Sequence, residues 1–428
     1  MRKTPLNNDI VHLIMDRADR AVVSNMMLTC QHYNRVGARY LLKWTVGLHP
    51  DDARQIESFV GFMTTDCNRY RFLRSLAITL KTTEDRYRPS GPQLALLADF
   101  FTTLGERGTN FTSLVFEEAE QVLDGHPALG NAMSLLRTLT ALEISHVGRR
   151  TAAMLRDLRS RLHDVTFTAC DHDYDPAMPA DDRNPMLLFQ ASQSTLLHIC
   201  ASNFESSFGG PRYSNVTSLT ITLNTTLVTL HLVYAFPNLR VLEVWECSLS
   251  GFTDYIRYRD ENLAAQRIYG SWASLDRFGG SASMLYVLGL TCPITTVNFG
   301  YDFDINAADP DMLRQMITDA RPVHLSVHIP HGHELLNYDL VAMLSEPCMD
   351  PVRSLHLHVE LGLHDLRCDL DLAAVLVSEI GAARSNFGSR SWCRAPWKTS
   401  SKRRPRRPSA SPSPGQASVC ICSGRSSG

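Results

Sequence analysis

The chain is 428 residues long, with 44% hydrophobic and 20% charged residues, a composition that supports a packed core and excludes a disordered polymer or a disulfide-stapled module. The formal net charge of -2 conceals a division: residues 384–428 carry ten Lys and Arg and no acid, which leaves 32 bases against 44 acids in residues 1–383. An acidic body argues against nucleic-acid binding by the folded part, because affinity for phosphate backbones grows with accumulated positive charge.

The opening MRKTPLNNDI meets Asn and Asp where a secretory signal needs its apolar stretch. The best candidate for a membrane span, LVTLHLVYAF at 227–236, is roughly half the ~20 residues a span requires and contains His231. Eleven cysteines are scattered without short paired spacings before the far end, as expected of reduced thiols used as small hydrophobes. The expectation is a chain with no membrane segment, cytoplasmic and/or nuclear.

Residues 1–48 read as three short helices. Asn7 or Asn8 can cap a first helix through Asp16, with Ile10, Leu13 and Ile14 on one face. Asp19 can cap a second, carrying Val22, Val23, Met26 and Met27 with Leu28 alongside. A third covers about Gln31–Leu42 with Tyr33, Val36, Tyr40 and Leu41 at helical spacing. Met26, Met27 and Leu28 in succession cannot all enter one core, so part of that stretch must meet something else. Residues 49–70 read as a linking bridge.

Residues 71–383 repeat a unit of apolar, two variable, apolar, one variable, apolar. It occurs as LRSLAI (73–78), FTSLVF (111–116), LTALEI (139–144), LHDVTF (162–167), VTSLTI (216–221), LRVLEV (239–244), ITTVNF (294–299), PVHLSV (322–327) and VRSLHL (352–357). TLLHIC (195–200) and LYVLGL (285–290) are candidates for weaker units in the two long gaps. Helical patterns lie between, at Leu94–Leu104, Met154–Leu158, Asp311–Ala320 and Leu335–Leu344. One such unit cannot bury its own apolar face, whereas stacked neighbours make a continuous core. Cys170, Asn224 and Cys247 each fall three residues past a third apolar position, where the chain leaves the strand and its backbone groups need partners. The expected fold class is α/β: a three-helix head followed by an irregular solenoid, a curved parallel sheet with outer helices. Residues 384–428, Arg/Ser/Pro-rich, are expected to form a disordered basic tail.

These repeats resemble leucine-rich repeats of the L-x-x-L-x-L-x-x-N/C type. The opening PLNNDIVHLIMDRADRAVVSNMMLTCQHYNRVGARYLLKWTVGL resembles an F-box, through Leu6, Ile10, Ile14, Leu28, Cys30, Tyr33, Val36, Leu41 and Leu42, then Val46 and Leu48. Asn7 stands where that family usually carries Pro, and Ala21–Val23 is plainer than the usual charged segment. The resemblance, to divergent fungal-type F-box and leucine-rich-repeat proteins, implies a non-catalytic substrate receptor of a cullin-type ubiquitin ligase. It implies a Skp-type adaptor and cullin scaffold held through residues 1–48, by Leu6, Ile10, Ile14, Met26, Met27, Leu28 and Cys30, and an unknown protein substrate on the repeats.

Chemistry is sparse. The pattern contains no nucleophile elbow and no phosphate loop, and Gly209–Gly210 and Gly279–Gly280 read as polar loops. The acidic runs DHDYD (171–175) and DD (181–182) read as surface within an insertion loop. The strongest histidine cluster is His324 and His328 on one strand with His356 and His358 on the next, and Glu360 beside them. Imidazole and carboxylate suit zinc, but outward positions of a recognition surface are polar in any case. Glu243, Trp245, Asn298, Thr220 and Thr222 share the outward parity, and a large outward aromatic such as Trp245 is a binding anchor or packs beneath a loop. No cofactor and no catalytic residue is expected. Two alternatives stay open: a leucine-repeat scaffold whose head merely caps the first repeat, and a metal-dependent enzyme using the histidines of 324–360.

Overall fold

The computed structural model describes residues 7–80, 91–170, 178–203, 207–223, 227–246, 255–300, 310–329 and 346–359, with short pieces at 392–394, 398–399, 417–418 and 421–423. The chain divides into two compact units, Met1–Val216 and Thr217–Gly428. Both repeat one element, a short strand with a helical return, and each stacks six strands in parallel and in chain order.

The first unit opens on three helices, α1 (Asn8–Arg17), α2 (Arg20–Met27) and α3 (Gln31–Leu41). Each begins where a side chain can take an otherwise unpaired N–H. Asn7 Oδ1 accepts from the Asp9 N–H at 3.0 Å, Asp19 from Val22 at 2.9 Å, and Cys30 Sγ from Tyr33 at 3.5 Å. Val11, Met15, Val23, Met27, Ala38 and Tyr40 form their shared core. Gly37 allows α2 and α3 to close, since a Cβ there would lie 2.2 Å from Met27 Cγ.

Next come β1 (Val46–Leu48), α4 (Ala53–Thr65), a 3-10 turn (Cys67–Phe72), β2 (Ser75–Ile78), α5 (Gly91–Arg107) and β3 (Ser113–Phe116). They are followed by α6 (Ala119–Gly125), α7 (Pro127–Ser134), β4 (Ala141–Val147), α8 (Arg149–Asp157), β5 (Asp164–Ala169), α9 (Pro185–Leu188) and β6 (His198–Ser202). The second and third apolar positions of the repeat stand in lateral rows: Leu76, Leu114, Leu142, Val165 and Ile199, then Ile78, Phe116, Ile144, Phe167 and Ala201. All ten are buried, as are the first positions Leu73, Phe111, Leu139, Leu162 and Leu196. The intervening residues are half-buried or exposed and define an open face of the sheet.

The second unit runs β7 (Ser218–Leu223), α10 (Thr229–Ala235), β8 (Val241–Glu246), α11 (Tyr255–Tyr269), β9 (Leu275–Gly280) and α12 (Ala282–Leu288). It continues with β10 (Ile294–Phe299), α13 (Pro310–Ala320), β11 (His324–Ile329) and β12 (Ser354–Val359). Its apolar rows are Leu219, Leu242, Phe278, Val297, Leu325, Leu355 and Ile221, Val244, Gly280, Phe299, Val327, Leu357.

All nine clear units of the sequence pattern therefore coincide with strands; the two weaker candidates need correction. The first is displaced by one residue: Leu196, Ile199 and Ala201 point inward, so the unit is LLHICA and not TLLHIC. The second, LYVLGL, lies mostly in α12, and the strand of that gap is LDRFGG (275–280). Gly280 hides it by occupying the third apolar place. Its φ is +142°, and a Cβ would meet the Val244 carbonyl oxygen at 2.1 Å, so the strand spacing there requires glycine. Gly279–Gly280 accordingly end a strand instead of forming a loop.

Polar groups join the returns. Buried Glu120 of α6 accepts from the N–H groups of Gly148, Arg150 and Thr151 at 3.1, 2.9 and 2.9 Å and from the Thr151 hydroxyl at 2.8 Å. It thereby caps α8 from outside that helix, where a negative charge is favoured. Cys170, as expected, is buried at the strand exit; its N–H donates to Val147 O at 3.0 Å and its carbonyl accepts from Arg183 at 2.9 Å. Asn224 and Cys247 lie outside the described residues. Asp182, expected on the surface, is buried and ion-paired with Arg156. In α11 the buried stripe is polar: Asn262 and Gln266 donate to the carbonyls of Leu227, Val287, Leu288 and Gly289, and Arg259 to that of Tyr286. That inversion of the usual pattern explains why periodicity did not reveal α11.

Helical expectations at Leu94–Leu104, Met154–Leu158 and Asp311–Ala320 fall in α5, α8 and α13; Leu335–Leu344 lies outside the described residues. Within 384–428, Trp392–Arg394 pairs antiparallel with Ile421–Ser423, and Lys398–Thr399 with Ala417–Ser418. Among the described residues no helix is long and apolar enough to cross a membrane.

Candidate functional site

The head exposes apolar surface that its own core does not use. Helix α1 turns Val11 and Met15 inward, while Ile10, Leu13 and Ile14, at i, i+3 and i+4, stand on its outer side at 48%, 60% and 42% exposure. Leu28, which ends α2, is 81% exposed. These four apolar side chains, with Val22 at 42% exposure, are left in solvent by the head. Of the other adaptor-contact residues, Met26 is half-buried against the head core and Cys30 is exposed, its sulfur spent on the α3 cap. Met27 must be removed from that set: it is buried and packs against Gly37, because it follows Val23 by four residues on the inward face of α2. Leu6 lies outside the described residues.

The head is tied firmly to the strands that follow. Arg69, on the 3-10 turn, donates to Asn34 Oδ1 of α3 at 2.7 Å and to the Phe62 carbonyl of α4 at 2.5 Å, with its guanidinium 3.9 Å above the Phe62 ring. Burial lowers the pKa of Arg69, opposed by the neighbouring carboxylate of Asp66. Arg20 donates to the Thr45 carbonyl, and the Thr45 and Ser75 hydroxyls meet at 3.1 Å. The bridge 49–70 thus supports the inner side of the head and leaves Val22 and Leu28 uncovered.

On the open face of the second unit, outward residues form lateral rows as expected. Thr220, Glu243, Gly279, Asn298, Ser326 and His356 share one. Glu243 Oε1 pairs with Arg277 Nη2 at 2.9 Å, and the Thr220 hydroxyl approaches Glu243 Oε2 at 3.4 Å. Trp245, half-buried, reaches over β9: a Cβ on Gly300 would lie 2.4 Å from its Cζ3. Gly300, which has no side chain, is what leaves room for the indole to extend that far. Sequence reasoning named Glu243 and Trp245 but missed Arg277, whose strand was not recognised.

The histidines do not meet as a group of four. His328 and His358 are register partners, with ring centroids 4.5 Å apart and planes 29° from parallel. His356 lies opposite Ser326, 3.5 Å from its hydroxyl, and His324 lies opposite Ser354. Stacked rings aim their in-plane nitrogens sideways and not at a common centre. Among the described residues no group of three or more His, Cys, Asp or Glu is placed to hold a metal ion, and Glu360 lies outside them.

Compared with protein-family models and with curated proteins, the chain matches neither a family nor a relative.

Proposed function

We propose that the protein is a non-catalytic recruitment subunit, an F-box-type head joined to leucine-rich repeats, that links a protein target to a cullin-type ubiquitin ligase. In this reading α1 and the end of α2 dock onto a Skp-type adaptor through Ile10, Leu13, Ile14 and Leu28, and the open face of the repeats holds the target. The observation that carries it is the outward apolar set on α1, together with Leu28, on a head whose inner side is already filled. Burying such surface contributes about 25 cal/mol per Å². The uncovered outer side of α2 also favours this reading over a head that only caps the first repeat, since a cap would turn that surface toward residues 49–80.

The test is calorimetric titration of the full chain with a purified Skp-type adaptor. Submicromolar binding that is lost in Leu28→Asp, with circular dichroism and melting temperature retained, supports the reading. A folded chain that does not bind overturns it and makes the protein a repeat scaffold outside any ligase.

A further inference from the structure

From the placement of Trp245, Glu243 and Arg277 on the open face of the second unit, we propose a subsite for a basic side chain, Lys or Arg, presented by a partner protein. This rests on reading the repeats as a partner-holding surface and names what one part of that surface recognises.

Three observations converge. First, Trp245 does not stand away from the sheet: its Cζ3 and Cη2 would lie 2.4 and 2.7 Å from a Cβ on Gly300, so the ring reaches laterally past the end of β9 to the residue that follows β10. It is nevertheless partly exposed, so indole surface remains open to solvent. Second, Glu243 lies two residues earlier on β8, on the same side of the sheet, and its Cγ would sit 3.2 Å from a Cβ on Gly279. The glycine thus gives the carboxylate room to lean over β9, on the same open face as the aromatic. Third, Arg277 already holds Glu243 at 2.9 Å, with side-chain exposures of 47% and 22%. An ion pair that exposed is weak, about 0–1 kcal/mol, and a competing cation can displace it.

An indole beside a carboxylate suits a cation with an apolar stem: the aromatic attracts the charge through its quadrupole, and the carboxylate accepts the N–H groups. In the free protein Arg277 is the cation that Glu243 holds, and an incoming guanidinium or ammonium competes with it for the carboxylate. An acidic ligand would have to use Arg277 instead, and the two possibilities respond oppositely to loss of Arg277.

The experiment uses the full chain labelled at its tryptophan indoles, with the signal of Trp245 assigned through Trp245→Phe. The probes are acetyl-Gly-Arg-Gly-amide and acetyl-Gly-Glu-Gly-amide. The expected result is a saturable shift of the Trp245 signal with the arginine peptide only. Trp245→Leu and Glu243→Gln should each weaken that binding by about fivefold or more. Arg277→Ala should strengthen it by roughly two- to fivefold, because the competing cation is gone. A shift with the glutamate peptide that Arg277→Ala abolishes, or no shift of Trp245 with either peptide, overturns the proposal. Since the readout is at Trp245, it is independent of adaptor binding by the head. Failure here leaves the recruitment reading intact, and failure of the adaptor titration leaves this one intact.

Discussion

Arg69 and Asn34 stand 35 residues apart in sequence and 2.7 Å apart in space, and their hydrogen bond joins the third helix of the head to the turn that precedes β2. The same guanidinium donates to the Phe62 carbonyl and covers the Phe62 ring, so one nearly buried side chain links α3, α4 and the turn. Arg69→Ala leaves two part-buried acceptors without their donor. It should cost about 2–4 kcal/mol, read from urea unfolding, and should speed amide exchange in α3. Equal exchange in variant and parent would show that the head is held by its apolar core alone.

The two sides of the second helix should respond oppositely to substitution. Leu28→Asp and Leu13→Asp alter exposed positions and should change stability by no more than about 0.5 kcal/mol. Met27→Ala, although it neighbours Leu28, empties a core site beside Gly37 and should cost about 2–4 kcal/mol. Thermal melts of the three variants make the comparison directly. Comparable losses for Leu28→Asp and Met27→Ala would mean that Leu28 is core.

Glu120 should behave as an internal cap for a helix it does not belong to. Glu120→Ala removes the acceptor of three N–H groups and one hydroxyl at the start of α8, with an expected loss of about 2–4 kcal/mol. Glu120→Gln keeps one acceptor oxygen and should lose less. A smaller effect from the alanine than from the glutamine variant would contradict this role.

Glycine substitutions should separate conformational need from space. Gly280→Ala combines φ of +142° with a 2.1 Å approach to the Val244 carbonyl and should prevent β8 and β9 from pairing normally. Gly270→Ala, at φ +91° with nothing within 4 Å of the added carbon, should cost only the strain, about 1–2 kcal/mol. Melting temperatures of the two variants measure the difference.

Thiol reactivity should follow position in the fold. Cys30 and Cys67 are exposed, whereas Cys170 and Cys292 are buried, and burial pushes the Cys292 thiol up to about 11. A raised pKa keeps the thiol protonated, and only the thiolate reacts rapidly. At pH 8, iodoacetamide should therefore modify Cys30 and Cys67 first and reach Cys170 and Cys292 only on unfolding, as resolved by peptide mass spectrometry.

The repeat was legible in the residues alone, because every strand must bury residues of one parity and a spacing of three then two survives variation in the residues between. The three head helices were legible too, two of them through the local caps Asn7 and Asp19, while the cap of the third, Cys30, emerged only in the structure. Where the pattern failed, the tertiary structure had replaced a side chain by something else. In β9 the third apolar place is Gly280, admitted because the neighbouring strand approaches too closely for a Cβ. In α11 the buried face is Arg259, Asn262 and Gln266, stable only because carbonyls from other returns come to meet them. Only the folded chain could decide that Met27 turns inward while Leu28 turns out, since both are apolar neighbours and the division depends on where Gly37 lets α3 approach. Likewise, the pairing of Glu243 with Arg277 and the stacking of His328 on His358 depend on strand register, which connects residues about 30 positions apart that no local pattern relates.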